Sequence, residues 1–285
     1  MSNVDADPVL HPDEQINDDA DSSIETDAAS STTSISSSIL NYRHENGRTY
    51  HRYKDGKYHL PNDQVENERL DLQHNLFLLT FGDKLGLAPP NDPGAKVGRV
   101  LDVGTGTGIW AIDYADEHPE AEVIGVDLSP IQPAFHLKPG GYVEIQETGG
   151  IILSDDGTLT PDHALWKWCN LLGEAFTKLG STSIEFDRIR AIMEEVGFTD
   201  IVDIRFKWPT NPWPLDKKYK ELGTWNNYNA SNALESLTLA SFSRAHGWTR
   251  DEVILFLVDV RKDLNNPSVH AYNPICSIYG KKPDV

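Results

Sequence analysis

Residues 100–108 read Val-Leu-Asp-Val-Gly-Thr-Gly-Thr-Gly, a short apolar run that enters three glycines at alternate positions and continues as Ile109-Trp110-Ala111-Ile112. The residue types predict a strand ending at Val103, a tight turn at Gly104, Gly106 and Gly108, and a helix from about Gly108. The start of such a helix offers unpaired amides and the positive end of its dipole to a ligand lying over the turn. Gly125-Val126-Asp127 closes a second strand, and Asp127 stands 23 residues beyond Gly104. A carboxylate at that strand tip is placed to accept hydrogen bonds from ribose hydroxyls. The spacing describes a site for a nucleotide-type cofactor.

One charge selects among such cofactors. Asp102 lies two residues before the first glycine, where a dinucleotide would place a pyrophosphate that a carboxylate repels. S-adenosyl-L-methionine (SAM) brings an ammonium and a sulfonium instead, which an aspartate stabilises. Ile109 also occupies the position where the dinucleotide pattern calls for Gly or Ala, which disfavours a dehydrogenase. Asp102, Gly104, Thr105, Gly106, Gly108 and Asp127 are therefore the candidate cofactor residues. The alternative reading of the same residues is a glycine-rich turn with no ligand.

Longer motifs surround this turn. Asn46-Gly47-Arg48-Thr49-Tyr50-His51, Leu60-Pro61-Asn62-Asp63 and Leu70-Asp71-Leu72-Gln73-His74 precede it. Asp127-Leu128-Ser129-Pro130-Ile131-Gln132-Pro133 and Leu137-Lys138-Pro139-Gly140-Gly141-Tyr142-Val143-Glu144 follow it. From about residue 41 onward the chain resembles the fungal LaeA-like class I SAM-dependent methyltransferases, which are tied to secondary-metabolite gene clusters and a regulatory complex. The resemblance implies a Rossmann-like α/β sheet, SAM as cofactor, and a helical insert between the sixth and seventh strands. It also implies a small-molecule metabolite or a protein as substrate, with a regulatory-complex partner as a further expectation.

The chain departs from that family at one place. Between Asp127 and the Leu-Lys-Pro-Gly-Gly that introduces the family's fifth strand belong a third strand, a helix, a fourth strand and another helix. Elements of average length need roughly 40–50 residues for this, whereas Leu128–Gly141 holds 14. That is barely the dozen of a parallel crossover, and Pro130, Pro133 and Pro139 oppose a continuous helix within it. The expected sheet is therefore incomplete, lacking the third and fourth strands, with the fifth moved closer to the first. The resemblance places adenine recognition and the loop lining the methyl-transfer position in the absent stretch. A truncated gene product and a catalytically impaired relative that acts through protein contacts are both compatible with this reading.

Composition bounds the rest. Residues 1–40 hold nine acidic residues, no Lys or Arg, and a serine-threonine run from Ser30 to Ser38. They predict a disordered tail, because so little apolar surface cannot offset the entropy of ordering. Residues 41–285 then form one methyltransferase-like domain: a Tyr-rich loop and helix (41–97), the cofactor-binding core (98–147), and helices with the C-terminal strands (148–285). The formal net charge of −19 argues against direct nucleic-acid binding, which depends on Lys and Arg. No basic region leads into an apolar run at the N-terminus, and the apolar run Val253–Val258 is too short to span a bilayer. The expectation is a cytoplasmic or nuclear protein with no membrane association. Cys169 and Cys276 read as packing residues in a reducing compartment, and the ten histidines show no metal-ligand spacing.

Elsewhere, Tyr42, Tyr50, Tyr53 and Tyr58 read as an aperiodic loop packed on the domain. Asp63 with Glu66 begins a helix ending at Gly82, with Val65, Leu72, Leu76 and Leu79 on one face. His74 on this helix is weighed as a ligand-facing group and, more strongly, as a hydrogen-bonded structural histidine. Helices are expected from Pro161 to Gly180, from Ile184 to Gly197, and through most of 216–265 with a break near Gly247. Strands are expected at about 142–146, 201–206 and 268–280. Trp208, Trp213 and Trp225 suit either a pocket lining or packing of the insert on the sheet. Glu144 and Glu147 follow the fifth strand, but no residue stands in a pattern that would nominate a catalytic base.

Overall fold

The computed structural model describes residues 10–11, 42–50, 60–126, 137–181 and 185–284. Its N-terminal part is a hairpin, β1 (Arg43–Glu45) and β2 (Arg48–Tyr50), where an aperiodic loop was expected. The Asn46-Gly47 pair closes it with both residues at positive φ, the backbone of a two-residue hairpin turn. Tyr50 is buried, whereas Tyr53 and Tyr58 fall outside the described residues.

Helix α1 (Gln64–Phe81) begins at Asp63, whose side chain accepts from Glu66 N, and ends at left-handed Gly82, as the sequence predicts. Its buried face is the expected one only in part: Leu76 is inside and Leu72 and Leu79 are half-buried, but the face also takes in polar groups. Val65 is exposed, and Glu66, Arg69, His74, Leu76 and Thr80 are inside. Polar groups are tolerated there because they are paired: Arg69 donates to Glu66 and, across the interface, to Asn229 at 3.1 Å.

Two sheets follow. Strand β3 (Arg99–Val103) and strand β4 (Glu122–Val126), joined by helix α2 (Ile109–Glu117), pair in parallel with Asp102 opposite Gly125. Strands β5 (Tyr142–Thr148), β6 (Thr199–Pro209) and β7 (Tyr272–Lys281) form an antiparallel sheet in the order β5-β7-β6. They correspond to the first, second, fifth, sixth and seventh strands of the expected Rossmann-like methyltransferase sheet; among the described residues there is no third or fourth strand.

The fifth strand was expected to move closer to the first; among the described residues the two do not pair, β3 bonding β4 alone and β5 bonding β7 alone. Strand β5 matches β7 residue for residue from Tyr142↔Lys281 to Thr148↔Ile275. Its Glu144 carboxylate accepts from the amides of Leu87 (2.8 Å) and Ala88 (2.9 Å), while Ser277 donates to it at 2.7 Å. The β3–β4 pair keeps an apolar face in water, with Leu101, Val103 and Ile124 each about half exposed, although parallel sheets ordinarily bury both faces.

Helices α3 (Ala164–Lys178) and α4 (Phe186–Glu195) occupy the connection from β5 to β6. Helices α5 (Lys217–His246) and α6 (Arg250–Leu264) form the insert between β6 and β7. Gly247 ends α5 in a left-handed conformation, and a reciprocal Thr249–Glu252 capping box starts α6. The largest core lies among α3, α5 and α6, where Leu165, Trp168, Leu172, Phe242, Leu257 and Val260 pack together. Trp208 and Trp213 are buried and donate to Thr80 Oγ1 and to the Ala271 carbonyl, so these two serve packing. Trp225 is exposed. Of the N-terminal stretch, Leu10 and His11 are described, and the His11 carbonyl accepts from Leu215 N at 2.7 Å.

Candidate functional site

The glycine turn takes the predicted shape. Gly104, Gly106 and Gly108 have φ of 80°, 53° and 83°, values that a side chain would strain. The amides of Gly104 and Thr105 both bond the Val126 carbonyl, at 2.8 and 3.0 Å, and Gly108 N bonds Thr105 O. The turn is thus tied down to the end of β4. Open space lies where side chains on Gly104 and Gly108 would project. Helix α2 starts directly after Gly108, with no side chain capping it, so its first-turn amides have no intrahelical acceptor.

The structure brings Asp102, Gly104, Thr105, Gly106 and Gly108 together at the C-terminal ends of β3 and β4. Asp102 is half-buried on β3. Thr105 tucks its side chain against Gly125, where an added Cβ would come within 2.7 Å of Thr105 Oγ1. That hydroxyl is buried without a hydrogen-bond partner. Asp127 directly follows β4 but lies outside the described residues, as does the Leu128–His136 stretch.

Helix α1 roofs the turn. Leu70 Cδ1 lies 3.5 Å from where a Cβ on Gly106 would stand, and His74 Nε2 lies 2.9 Å from Asp113 Oδ2 on α2. His74 is buried and paired, in keeping with the structural reading of this residue. Glu144 is committed to the 87–91 loop and to Ser277. Glu147 is exposed and accepts from Thr148 N at 2.9 Å.

Sequence reasoning passed over a second charged cluster, which involves the loop after β5. Buried Lys207 donates to Asp155 at 2.9 Å, Tyr272 donates to the same carboxylate at 2.7 Å, and Asp156 pairs with His270. Its members lie far apart in sequence, so no local motif announces them. Among the described residues, no three His, Cys, Asp or Glu side chains converge as metal ligands would, and no helix is long and apolar enough to cross a membrane.

A parallel β3–α2–β4 unit carrying a glycine turn, followed by an antiparallel 5-7-6 sheet, is the frame of a Rossmann-like methyltransferase. No family model matches the chain, but it is similar to curated proteins over most of its length. Methyltransferase pytC of Aspergillus terreus is 35% identical, with 92% of this chain and 94% of that protein covered. The secondary metabolism regulator LAE1 of Cochliobolus heterostrophus is 34% identical over 84% of this chain and 94% of that one. The secondary metabolism regulator laeA of Aspergillus fumigatus is 33% identical over 84% and 76%. The chain belongs to the fungal LaeA-like methyltransferase family.

The alignments also include positions of the relatives with no counterpart in this chain. The one with pytC runs over 308 positions, whereas 92% of 285 residues is about 262, so about 46 positions of the relative have no counterpart here. For LAE1, 291 positions against about 239 residues leave about 52. Two strands and two helices have that size.

Proposed function

We propose that the chain is a SAM-dependent methyltransferase of fungal secondary metabolism, with Asp102, Gly104, Thr105, Gly106, Gly108 and Asp127 holding the cofactor. The single observation that carries the reading is the glycine turn, whose three positive-φ residues lead directly into an uncapped helix start. The residues present fit the methionine and ribose end of SAM. There is open space above Gly104 and Gly108, an unpartnered buried hydroxyl at Thr105, and a carboxylate at Asp102 of the sign an ammonium requires. The adenine end has no equivalent support among the described residues. When bound, SAM supplies an electrophilic methyl carbon. The chain's own part is to hold the turn rigid through Val126, offer the first-turn amides of α2, and set the Asp102 carboxylate beside the cationic end.

The substrate is a small-molecule metabolite or a protein, the chain does not bind nucleic acid directly, and the protein works in the cytoplasm or nucleus. The names of its relatives, methyltransferases and secondary metabolism regulators, support this context.

The lack of pairing between β3 and β5 among the described residues favours a second reading, a catalytically impaired relative that acts through protein contacts in a regulatory complex. Equilibrium dialysis with labelled SAM, followed by methyl transfer to extracts of small metabolites and proteins, separates the two. Saturable binding with transfer supports the first reading, and binding without transfer supports the second. Binding that survives Gly106→Val contradicts the assigned site.

A further inference from the structure

We propose that His74 is a positioning residue for the glycine turn, acting through Asp113. The inference rests on the cofactor reading above but concerns a residue outside the candidate cofactor set. Leu70 and His74 are four apart on α1 and so share one helix face. Leu70 lies against the turn at Gly106. One turn further on, His74 Nε2 reaches Asp113 Oδ2 at 2.9 Å, and Asp113 belongs to the second turn of the helix that the glycine turn starts. One face of α1 thus touches the turn and grips the element behind it.

The rest of α1 is anchored elsewhere. Arg69 donates to Asn229 of α5. Arg48 of the hairpin bonds the cap residue Asp63 and reaches Ser236 of α5 at 2.9 Å. Helix α1 is therefore a strut between α5 and the cofactor turn, and the His74–Asp113 bond fixes its cofactor end. The histidine is buried and the side chain of Asp113 is 41% exposed, so the pair sits at the edge of the roof. Without this bond the turn keeps its tether to Val126 but loses the register of its cover.

The test uses the full chain with His74→Ala, His74→Gln, Asp113→Ala and the His74→Ala/Asp113→Ala double variant. The dissociation constant for SAM is measured by dialysis, and hydrogen exchange is measured over residues 104–113. A Gln amide can replace the Nε2 donor, so rescue by His74→Gln distinguishes positioning from filling of space. We expect SAM to bind about tenfold more weakly to either single alanine variant, the size of one lost charge-assisted hydrogen bond. The double variant should lose little more, and His74→Gln should recover binding to within about threefold, again less than one such bond. Exchange at 104–113 should quicken in the alanine variants alone. Unchanged affinity in His74→Ala, or equal losses in His74→Ala and His74→Gln, overturns the proposal. If the unmodified chain does not bind SAM, the cofactor reading fails by itself. Exchange at 104–113 then decides, and rates unaffected by His74→Ala overturn the positioning role.

Discussion

Trp110 and Gln146 donate to the same acceptor: indole Nε1 of Trp110 lies 2.9 Å, and amide Nε2 of Gln146 2.8 Å, from the carbonyl oxygen of buried Leu85. Trp110 belongs to the cofactor half of the molecule and Gln146 to the antiparallel sheet. One backbone carbonyl therefore joins two sheets that share no strand pairing. In Trp110→Phe or Gln146→Leu the carbonyl keeps one donor, and each change should cost about 1 kcal/mol. The double variant orphans a buried carbonyl, so its cost should exceed the sum by about 1 kcal/mol or more. Urea denaturation of the four proteins gives the comparison, and strict additivity would show that Leu85 is not the shared link.

The bare face of the β3–β4 pair makes a prediction of opposite character. Ile124 is 49% exposed, so Ile124→Thr should change stability by less than about 0.5 kcal/mol. Leu165, fully buried between α3 and α6, should cost about 2–5 kcal/mol as Leu165→Ala. A loss above about 1 kcal/mol for Ile124→Thr in thermal melts, more than a surface change gives, would mean that this face is covered.

Much of this architecture is legible in the residues themselves. Asp63 with Gly82, and Thr249 with Glu252, mark helix ends through local hydrogen bonds, so their positions follow from sequence. The glycine turn is legible because positive φ is a property of single residues. Other features depend on residues far apart in the chain. The inward face of α1 carries Glu66 and Arg69 rather than Val65, since Asn229 of α5 accepts from Arg69, which also donates to Glu66. The Asn46-Gly47 hairpin was readable from its turn, but the polar composition around it concealed the strands. The length of the Leu128–Gly141 link foretold the missing strands but not whether the sheet would close. The position of β5 involves contacts such as those of Glu144 with Leu87, Ala88 and Ser277, which span more than 50 residues and leave no local signal.

Both thiols should be inert in the native protein. Burial pushes Cys169 up to about 11 and Cys276 up to about 12, and the thiolate is the reactive form. A maleimide or disulfide probe at neutral pH should label neither until denaturant unfolds the chain. Stoichiometric labelling of the native protein would contradict the packing role.

Acid should weaken the fold through a few carboxylates. Burial would raise Asp63, Asp155 and Asp156. Hydrogen bonds from Arg48 to Asp63, from Tyr272 and Lys207 to Asp155, and from His270 and Thr158 to Asp156 outweigh it, holding all three below the usual range. The unfolded chain then binds protons more tightly than the folded one. The contribution of these groups is complete above the unfolded value of about 3.9 and is lost as pH falls through the folded values. Melting temperature should fall below about pH 4, and Asp63→Asn should flatten that fall. An acid limb of unchanged slope in Asp63→Asn would remove Asp63 from the account.

We propose that this chain keeps the methionine and ribose end of a SAM site, while the described residues offer no adenine end. Titration calorimetry with SAM tests it most directly, on this chain, on its Asp127→Ala variant and on a full-length relative such as pytC. Loss of a charge-assisted hydrogen bond and its adjoining stacking surface amounts to roughly 3 kcal/mol, about a hundredfold in dissociation constant. The account predicts binding about a hundredfold weaker than the relative's, abolished by Asp127→Ala. Affinity equal to the relative's, accompanied by turnover, would contradict it, as would binding that Asp127→Ala leaves intact.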